Sequence, residues 1–239
     1  MGEQIERLAH FVAETQWEDI PATVRQHAKL VLLDTLGVIL VGAEQPEVRQ
    51  LRERLLATAG TGATVLARGW PTSDPRTAAL LNGIAGRSVE LCEGHRYVSC
   101  QGAVQIVPGV LAVGEWAHCS GRALLTALIL GYDVAVRLGA ALTARPLAHQ
   151  NGQAPLLGAV AAGARLRGLN AADTSRALRI GATLVLTTSY ANAVAGATAR
   201  SGAWGPSPRQ SACRIDAVDT SSRGKLQNMQ VDKCPLLRY

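Results

Sequence analysis

The stretch SVELCEGHRYVSCQGAVQIVPG, residues 88–109, gathers Glu90, Cys92, Glu93, His95, Arg96 and Cys100 within a chain otherwise rich in Ala and Leu. Glu90 and Glu93 stand three apart, so at a helix end they share a face. Paired carboxylates do acid–base work when burial separates their pKa values. The plainer alternative is solvent contact for one and a salt bridge to Arg87 or Arg96 for the other. His95, beside Gly94, can act as a general base, bind a substrate carboxylate, or simply be solvated. His149 lies in PLAHQNGQAPLLG, a polar turn opening a Gly/Ala-rich helix. Free N–H groups at such a helix start favour an anion, and a helix-capping turn is the competing reading.

Cys92 and Cys100 read as inert thiols rather than a reactive pair. The five cysteines form no CxxC pair and match no zinc spacing. No convergent metal-ligand set can be assembled from Cys92, His95, Cys100 and His149, so no metal is expected. His10, His27 and His118 lie in or beside amphipathic segments and read as structural.

The elements that must hold these residues are helical. Of 239 residues, 48% are hydrophobic, 18% charged and only 4% aromatic, so the core is built from Ala, Leu and Val. That composition favours closely packed helices over a β-sandwich or barrel. The formal net charge is +6, with 18 basic against 15 acidic residues up to position 200 and six against three beyond it. No basic stripe interleaved with aromatics exists, which argues against nucleic acid as partner. The N-terminus is charged and amphipathic, unlike a signal peptide. The run LVLLDTLGVILVG is short and holds Asp34, which suits a buried helix and not a membrane span. A cytoplasmic protein with reduced thiols is expected.

Ile5, Leu8, Phe11 and Val12 mark one face of a first helix. Pro21 starts a second, whose apolar latter half should be fully buried. Pro46 starts a third, with Val48, Leu51 and Leu55 inward. TVLARG is the one strand-like piece. Asp74 should cap a helix that has Pro75 at its first position. A helix should run through IVPGVLAVGEWAHC, another after the cap Ser120, and two more through APLLGAVAAGARLRG and AADTSRALRIGATLVLTTSY, the last capped by Asn170. Gly152, Gly158 and Ala162 allow a close helix crossing. Leu33, Leu36, Val110, Leu111, Leu125, Leu128 and Leu166 are expected in the core. The fold class is therefore all-α, with a compact helical domain over residues 1–200.

From residue 201 the pattern breaks. The segment 201–239 is rich in Ser, Gly, Pro and Gln, lacks periodicity, and holds two of the three lysines. It is expected to be poorly ordered. A tail so unlike its domain points to truncation, a fusion junction or a shifted reading frame.

Four blocks, VRQHAKLVLLDTLGVILVG, AALLNGIAGRSVELCEGHRYV, GAVQIVPGVLAVGEWAHCSGRALLTALILGYDVAVRLG and HQNGQAPLLGAVAAGARLRGLNAADTSRAL, together resemble the MmgE/PrpD family in order and spacing. That family includes 2-methylcitrate dehydratase, cis-aconitate decarboxylase and iminodisuccinate epimerase. The resemblance implies a helical domain followed by an α+β lid, absent here, and usually a homodimer. It implies chemistry next to a carboxylate without metal or organic cofactor. Glu90 and Glu93 match the acidic positions of a loop that reads E-L-D-E-G-N-R in one branch, and Gly94 and Arg96 match too. His149 takes the histidine of an HPxG-like turn, and Arg200 falls where the family places a basic residue. Cys92 replaces an expected Asp, His95 an expected Asn, and Gln101 stands where a Gly-His-Pro arrangement is usual.

The resemblance thus implies catalysis by His149, Glu90 and Glu93, with His95, Arg96, Gln101 and Arg200 binding substrate. The expected partner is a small anionic carboxylate, in a homo-oligomer, with neither nucleic acid nor membrane involved. The reaction class is a dehydratase, decarboxylase or epimerase acting on a di- or tricarboxylate, impaired by the missing lid. The alternative is a non-catalytic fragment or degenerate paralogue serving as scaffold.

Overall fold

The computed structural model describes residues 2–57, 60–98, 100–142 and 153–185. Among these it is all-α apart from one two-residue ladder. The helices are α1 (Gly2–Glu14), α2 (Ala22–Gly42), α3 (Pro46–Leu56), α4 (Pro75–Ser88), α5 (Ala103–Trp116), α6 (Gly121–Ala141), α7 (Ala154–Leu166) and α8 (Ala171–Ala182).

Local chemistry sets several of the helix starts. Asp74 accepts from the N–H groups of Arg76 and Thr77, Ser120 from Ala123, and Asn170 from Asp173. Each side chain satisfies N–H groups that a first helical turn leaves open. TVLARG contributes only its first residue to a strand: β1 (Ala63–Thr64) pairs antiparallel with β2 (Thr72–Ser73). Buried Asn82 of α4 seals that corner, accepting from Leu66 N at 2.8 Å and donating to Thr64 O at 3.0 Å. The final helix stops at Ala182, short of the stretch expected from sequence.

Helices α5, α6 and α7 form the centre. A Cβ added to Gly131 would lie 2.5 Å from the Gly158 carbonyl oxygen, and one added to Gly158 would strike Gly131 in return. The two backbones are in direct contact there, which only glycine permits. Around this crossing, Ile106, Val107, Val110, Leu128 and Ala162 form one core cluster. A second joins Ile5, Leu8 and Val12 of α1 to α6, α7 and α8. A third packs Ile39 and Val48 against α4.

The latter half of α2 departs from expectation. Thr35, Val38, Ile39 and Gly42 are buried, but Leu33 is 67% exposed, and Leu30, Leu40 and Val41 are exposed as well. Burial at i, i+3, i+4 and i+7 shows that one face meets α4 and α5. The opposite face, equally apolar, has no described neighbour. Leu33 is therefore not a core residue; Leu36, Leu111, Leu125 and Leu166 are half-buried, and Val110 and Leu128 are buried as expected. Among the described residues one helix, α6, is by itself long and apolar enough to cross a membrane, and half of its apolar window is buried.

Candidate functional site

The segment between α4 and α5 is a loop, and Arg87 organises its first part. Arg87, in the last turn of α4, has only 3% of its surface exposed. Its Nη2 pairs with Glu90 Oε1 at 2.6 Å, and its Nη1 donates to Gln101 Oε1 at 2.6 Å and faces Cys92 Sγ at 2.9 Å. Glu90 turns back onto Arg87 with a φ of +54°, in the left-handed region. A non-glycine residue there carries local strain, held by the surrounding contacts.

Beyond Cys92 the chain leaves Arg87 and faces a different surface. Ala103 N donates to Glu93 Oε1 at 2.5 Å, and Tyr132 Oη donates to Glu93 Oε2 at 2.8 Å. The carboxylate thus sits on the N-terminus of α5, where free N–H groups and the helix dipole favour a negative charge. His95 N donates to Cys100 O at 2.8 Å, closing the loop. The His95 ring lies 6.1 Å from that of Tyr97 and 6.5 Å from that of Tyr132. Its Nδ1 is buried and has no hydrogen-bond partner among the described residues.

Burial pushes the Glu93 carboxyl above its ordinary range. The bonds from Ala103 and Tyr132 and the nearby His95 oppose that shift, and the Asp34 carboxylate adds to it. Burial and the Glu93 charge also raise the Tyr132 phenol, which stays protonated and donating. Cys92 is raised by burial against the opposing Arg87 charge, and Cys100 is pushed up to about 12 by burial and by Glu93. Both therefore remain thiols, as the sequence suggested, since the thiolate is the reactive form.

Glu93, His95 and Arg96 line a cleft of about 1060 Å³. Its other walls come from α1 at Phe11, the turn at Asp19 and Ile20, α2 at Val24, His27, Leu30 and Asp34, and α6 at Leu128, Tyr132, Asp133 and Arg137. Asp133 and Arg137 form an ion pair at 2.5 Å. Glu90 and Gln101 are not among the cleft-lining residues; both are held by Arg87. The idea that Glu90 and Glu93 share a helical face does not hold, because α4 ends at Ser88 and the turn at Glu90 sends the two side chains to different partners. The salt-bridge alternative for Glu90 is the one observed. His149 and Arg200 lie outside the described residues, as does the tail 201–239, so the roles expected of these two beside Glu90 and His95 concern residues beyond the described ones.

Three cleft residues were not assigned to a site from the sequence. His27, read as structural, is exposed and lines the cleft. Asp34 looked like an interruption in an apolar run. Tyr132 in GYDVAV carries no local signal, since its partner Glu93 is 39 positions away. Arg87 was foreseen only as one of two possible ion-pair partners. Among the described residues no group of three His, Cys, Asp or Glu side chains is arranged to hold a metal ion.

A helical bundle with an acidic loop on one wall of a cleft defines the class, and comparison with known proteins gives it a name. The MmgE/PrpD N-terminal domain matches residues 6–210, so the chain belongs to the MmgE/PrpD family. The match reaches beyond Arg200, where the sequence pattern changes. The chain is 30% identical over 193 residues to the cis-aconitate decarboxylase-like protein oryM of Aspergillus oryzae, covering 76% of this chain and 40% of that protein. It is 24% identical over 140 residues to the cis-aconitate decarboxylase of Aspergillus terreus, covering 56% of this chain and 29% of the relative. The chain thus spans less than half the length of these relatives, one named as a cis-aconitate decarboxylase and the other as a cis-aconitate decarboxylase-like protein.

Proposed function

We propose that this chain carries the helical wall of a lyase site acting next to a carboxylate of a di- or tricarboxylate, with decarboxylation the favoured reaction. The observation that carries the reading is the Glu93–Tyr132 pair in the cleft wall, in a chain whose relatives are named as a cis-aconitate decarboxylase and a cis-aconitate decarboxylase-like protein. In decarboxylation the bond from carbon to the departing carboxylate breaks and carbon dioxide leaves. The electron pair stays on the substrate and takes up a proton. An arginine beside the remaining carboxylates stabilises the charge that develops. Arg96 takes that role on the loop wall, joined by Arg200. His149 is the proposed acid or base, as the family resemblance implies, and Glu93, its carboxyl raised above the ordinary range by burial, is the cleft carboxyl proposed to share the proton exchange. Dehydration and epimerisation use the same groups, differing in whether hydroxide leaves or a proton returns. A homo-oligomer in the cytoplasm is proposed as its setting; the free thiols of Cys92, Cys100 and Cys119 fit a reducing compartment, and the homo-oligomer rests on the family resemblance.

A second reading, a helical scaffold without catalysis, is favoured by the loop itself. Cys92, a thiol where the family resemblance expects Asp, and Gln101, held by Arg87, leave the wall without two acid–base groups. NMR of the full chain with cis-aconitate and with 2-methylcitrate separates the two. Substrate loss that Glu93→Gln slows by about 10²–10⁴-fold sustains the lyase. No loss of either acid under saturating conditions gives the scaffold.

A further inference from the structure

His95 lines the cleft but has no task in the reaction proposed above, and its surroundings limit what it can do. Its backbone N–H donates to Cys100 O at 2.8 Å, which pins the residue to the segment leading into α5. Its ring lies 6.1 Å from that of Tyr97 and 6.5 Å from that of Tyr132, and Tyr132 is itself bonded to Glu93. The imidazole is half-buried and held on several sides.

The fate of one ring nitrogen is settled. Nδ1 is buried and has no hydrogen-bond partner. Nε2 is therefore the nitrogen that a ligand in the cleft can meet. An uncharged imidazole carries one N–H and one bare nitrogen. With the proton on Nε2, Nδ1 keeps only an unshared lone pair. As a base, the ring would take a second proton and carry an N–H on both nitrogens. Nδ1–H would then be part of a cation, buried without an acceptor, and an unsatisfied buried donor costs most when it is charged. The Glu93 carboxylate attracts such a cation, but only at a distance. Its oxygens are taken by Ala103 N and Tyr132 Oη, and no hydrogen bond joins it to His95 among the described residues. The ring is better built to donate from Nε2 than to accept a proton there.

We propose that His95 donates a hydrogen bond from Nε2 to the substrate oxygen on which negative charge gathers, and keeps its proton throughout. The proposal rests on the lyase reading and adds a donor next to Arg96 on the same wall. When the bond to the departing carboxylate breaks, carbon dioxide leaves and the electron pair spreads onto an oxygen of a neighbouring carboxylate. The bond from His95 strengthens as the charge on that oxygen grows, so it favours the transition state over the bound substrate. The pair returns to carbon when carbon takes up its proton through His149 or Glu93, the groups already proposed for that exchange.

The test pairs two substitutions with a spectrum. His95→Phe removes the donor; His95→Gln keeps an N–H close to the Nε2 position but cannot serve as a base. With the full chain and cis-aconitate, His95→Phe is expected to lower kcat by about 10²–10³-fold, and His95→Gln to regain most of that loss, to within about tenfold of the parent. Equal losses in the two variants would make the ring a proton acceptor and overturn the proposal. Turnover by His95→Phe at the parent rate would overturn it too, while leaving the lyase reading intact. Long-range proton–nitrogen NMR of the parent, isotope-labelled at its histidines and held at about pH 8.5, above the ordinary histidine range, needs no turnover. His95, assigned by its loss in His95→Phe, should carry its proton on Nε2. That proton should move downfield when tricarballylate, a saturated tricarboxylate, is added. A proton on Nδ1, or a ring that tricarballylate leaves unmoved, contradicts the proposal whatever the variants do. A parent that responds to tricarballylate yet turns over neither cis-aconitate nor 2-methylcitrate removes the lyase reading, and the charge-stabilising role falls with it.

Discussion

On one side of the loop between α4 and α5, Glu90, Cys92 and Gln101 converge on a buried arginine; on the other, Glu93, His95 and Arg96 face a cleft. Sequence puts these groups within a dozen positions and makes them look like one constellation. Structure divides them by what they satisfy. A guanidinium removed from water demands acceptors, and the first group supplies them. The second group satisfies only part of itself, through Ala103 and Tyr132, and leaves His95 and Arg96 turned to the cleft. The first half holds the loop in shape; the second can meet a ligand.

The sharpest way to break this contrast is Arg87→Met. It leaves Glu90 and Gln101 without their ion-pair and hydrogen-bond partner; Glu90 can turn to water, so the loss is that of the buried hydrogen bonds and packing, about 1–3 kcal/mol. A urea midpoint equal to that of the parent chain would contradict the assignment. Glu93→Gln comes next and acts mainly on function, by the 10²–10⁴-fold slowing given above. It has a pH signature too. The folded carboxyl titrates above its unfolded value, so the native state holds the extra proton between the two. The contribution of Glu93 to stability is then complete below the ordinary carboxylate pKa and is lost as pH rises through the raised one. Urea unfolding of parent and Glu93→Gln across that window should show the slope in the parent alone.

Tyr132→Phe removes the hydroxyl that donates to Glu93, at a cost of about 1 kcal/mol. It should also move the Glu93 titration further upward, since a bond favouring the charged form is gone; carboxyl-carbon NMR reads that shift. The smallest effect is expected at Glu90. Glu90→Gly relieves a left-handed backbone but gives up a half-exposed ion pair, and the two nearly cancel, to within about 1 kcal/mol. A loss as large as that of Arg87→Met would place Glu90 with the functional half.

The same contrast explains what the sequence could reveal. Caps at Asp74, Ser120 and Asn170 were legible because each acts on N–H groups two or three positions away. So was the loop itself, as a polar interruption between apolar periods. The exposed side of α2 was not, because an apolar stripe is the same whether or not a neighbour covers it; Leu33 and Ile39 read alike and differ wholly in exposure. Within the site, Glu93, His95 and Arg96 were found by residue type, whereas Tyr132 and Asp34 depend on helices distant in the chain. The division between Glu90 and Glu93 hinged on a single turn, which no spacing rule anticipates.

The backbone contact between Gly131 and Gly158 has a consequence in time as well as space. The two glycines are near neighbours in sequence by the standards of tertiary contacts, so the loop closed by docking α6 on α7 is small and its entropy cost low. Contacts of that kind form early in folding. Gly158→Ala, which blocks the approach, should therefore slow refolding more than it hastens unfolding, giving a φ-value toward one in stopped-flow chevrons. A change confined to the unfolding limb would mean that these two helices meet late, after the rest of the bundle has assembled around them.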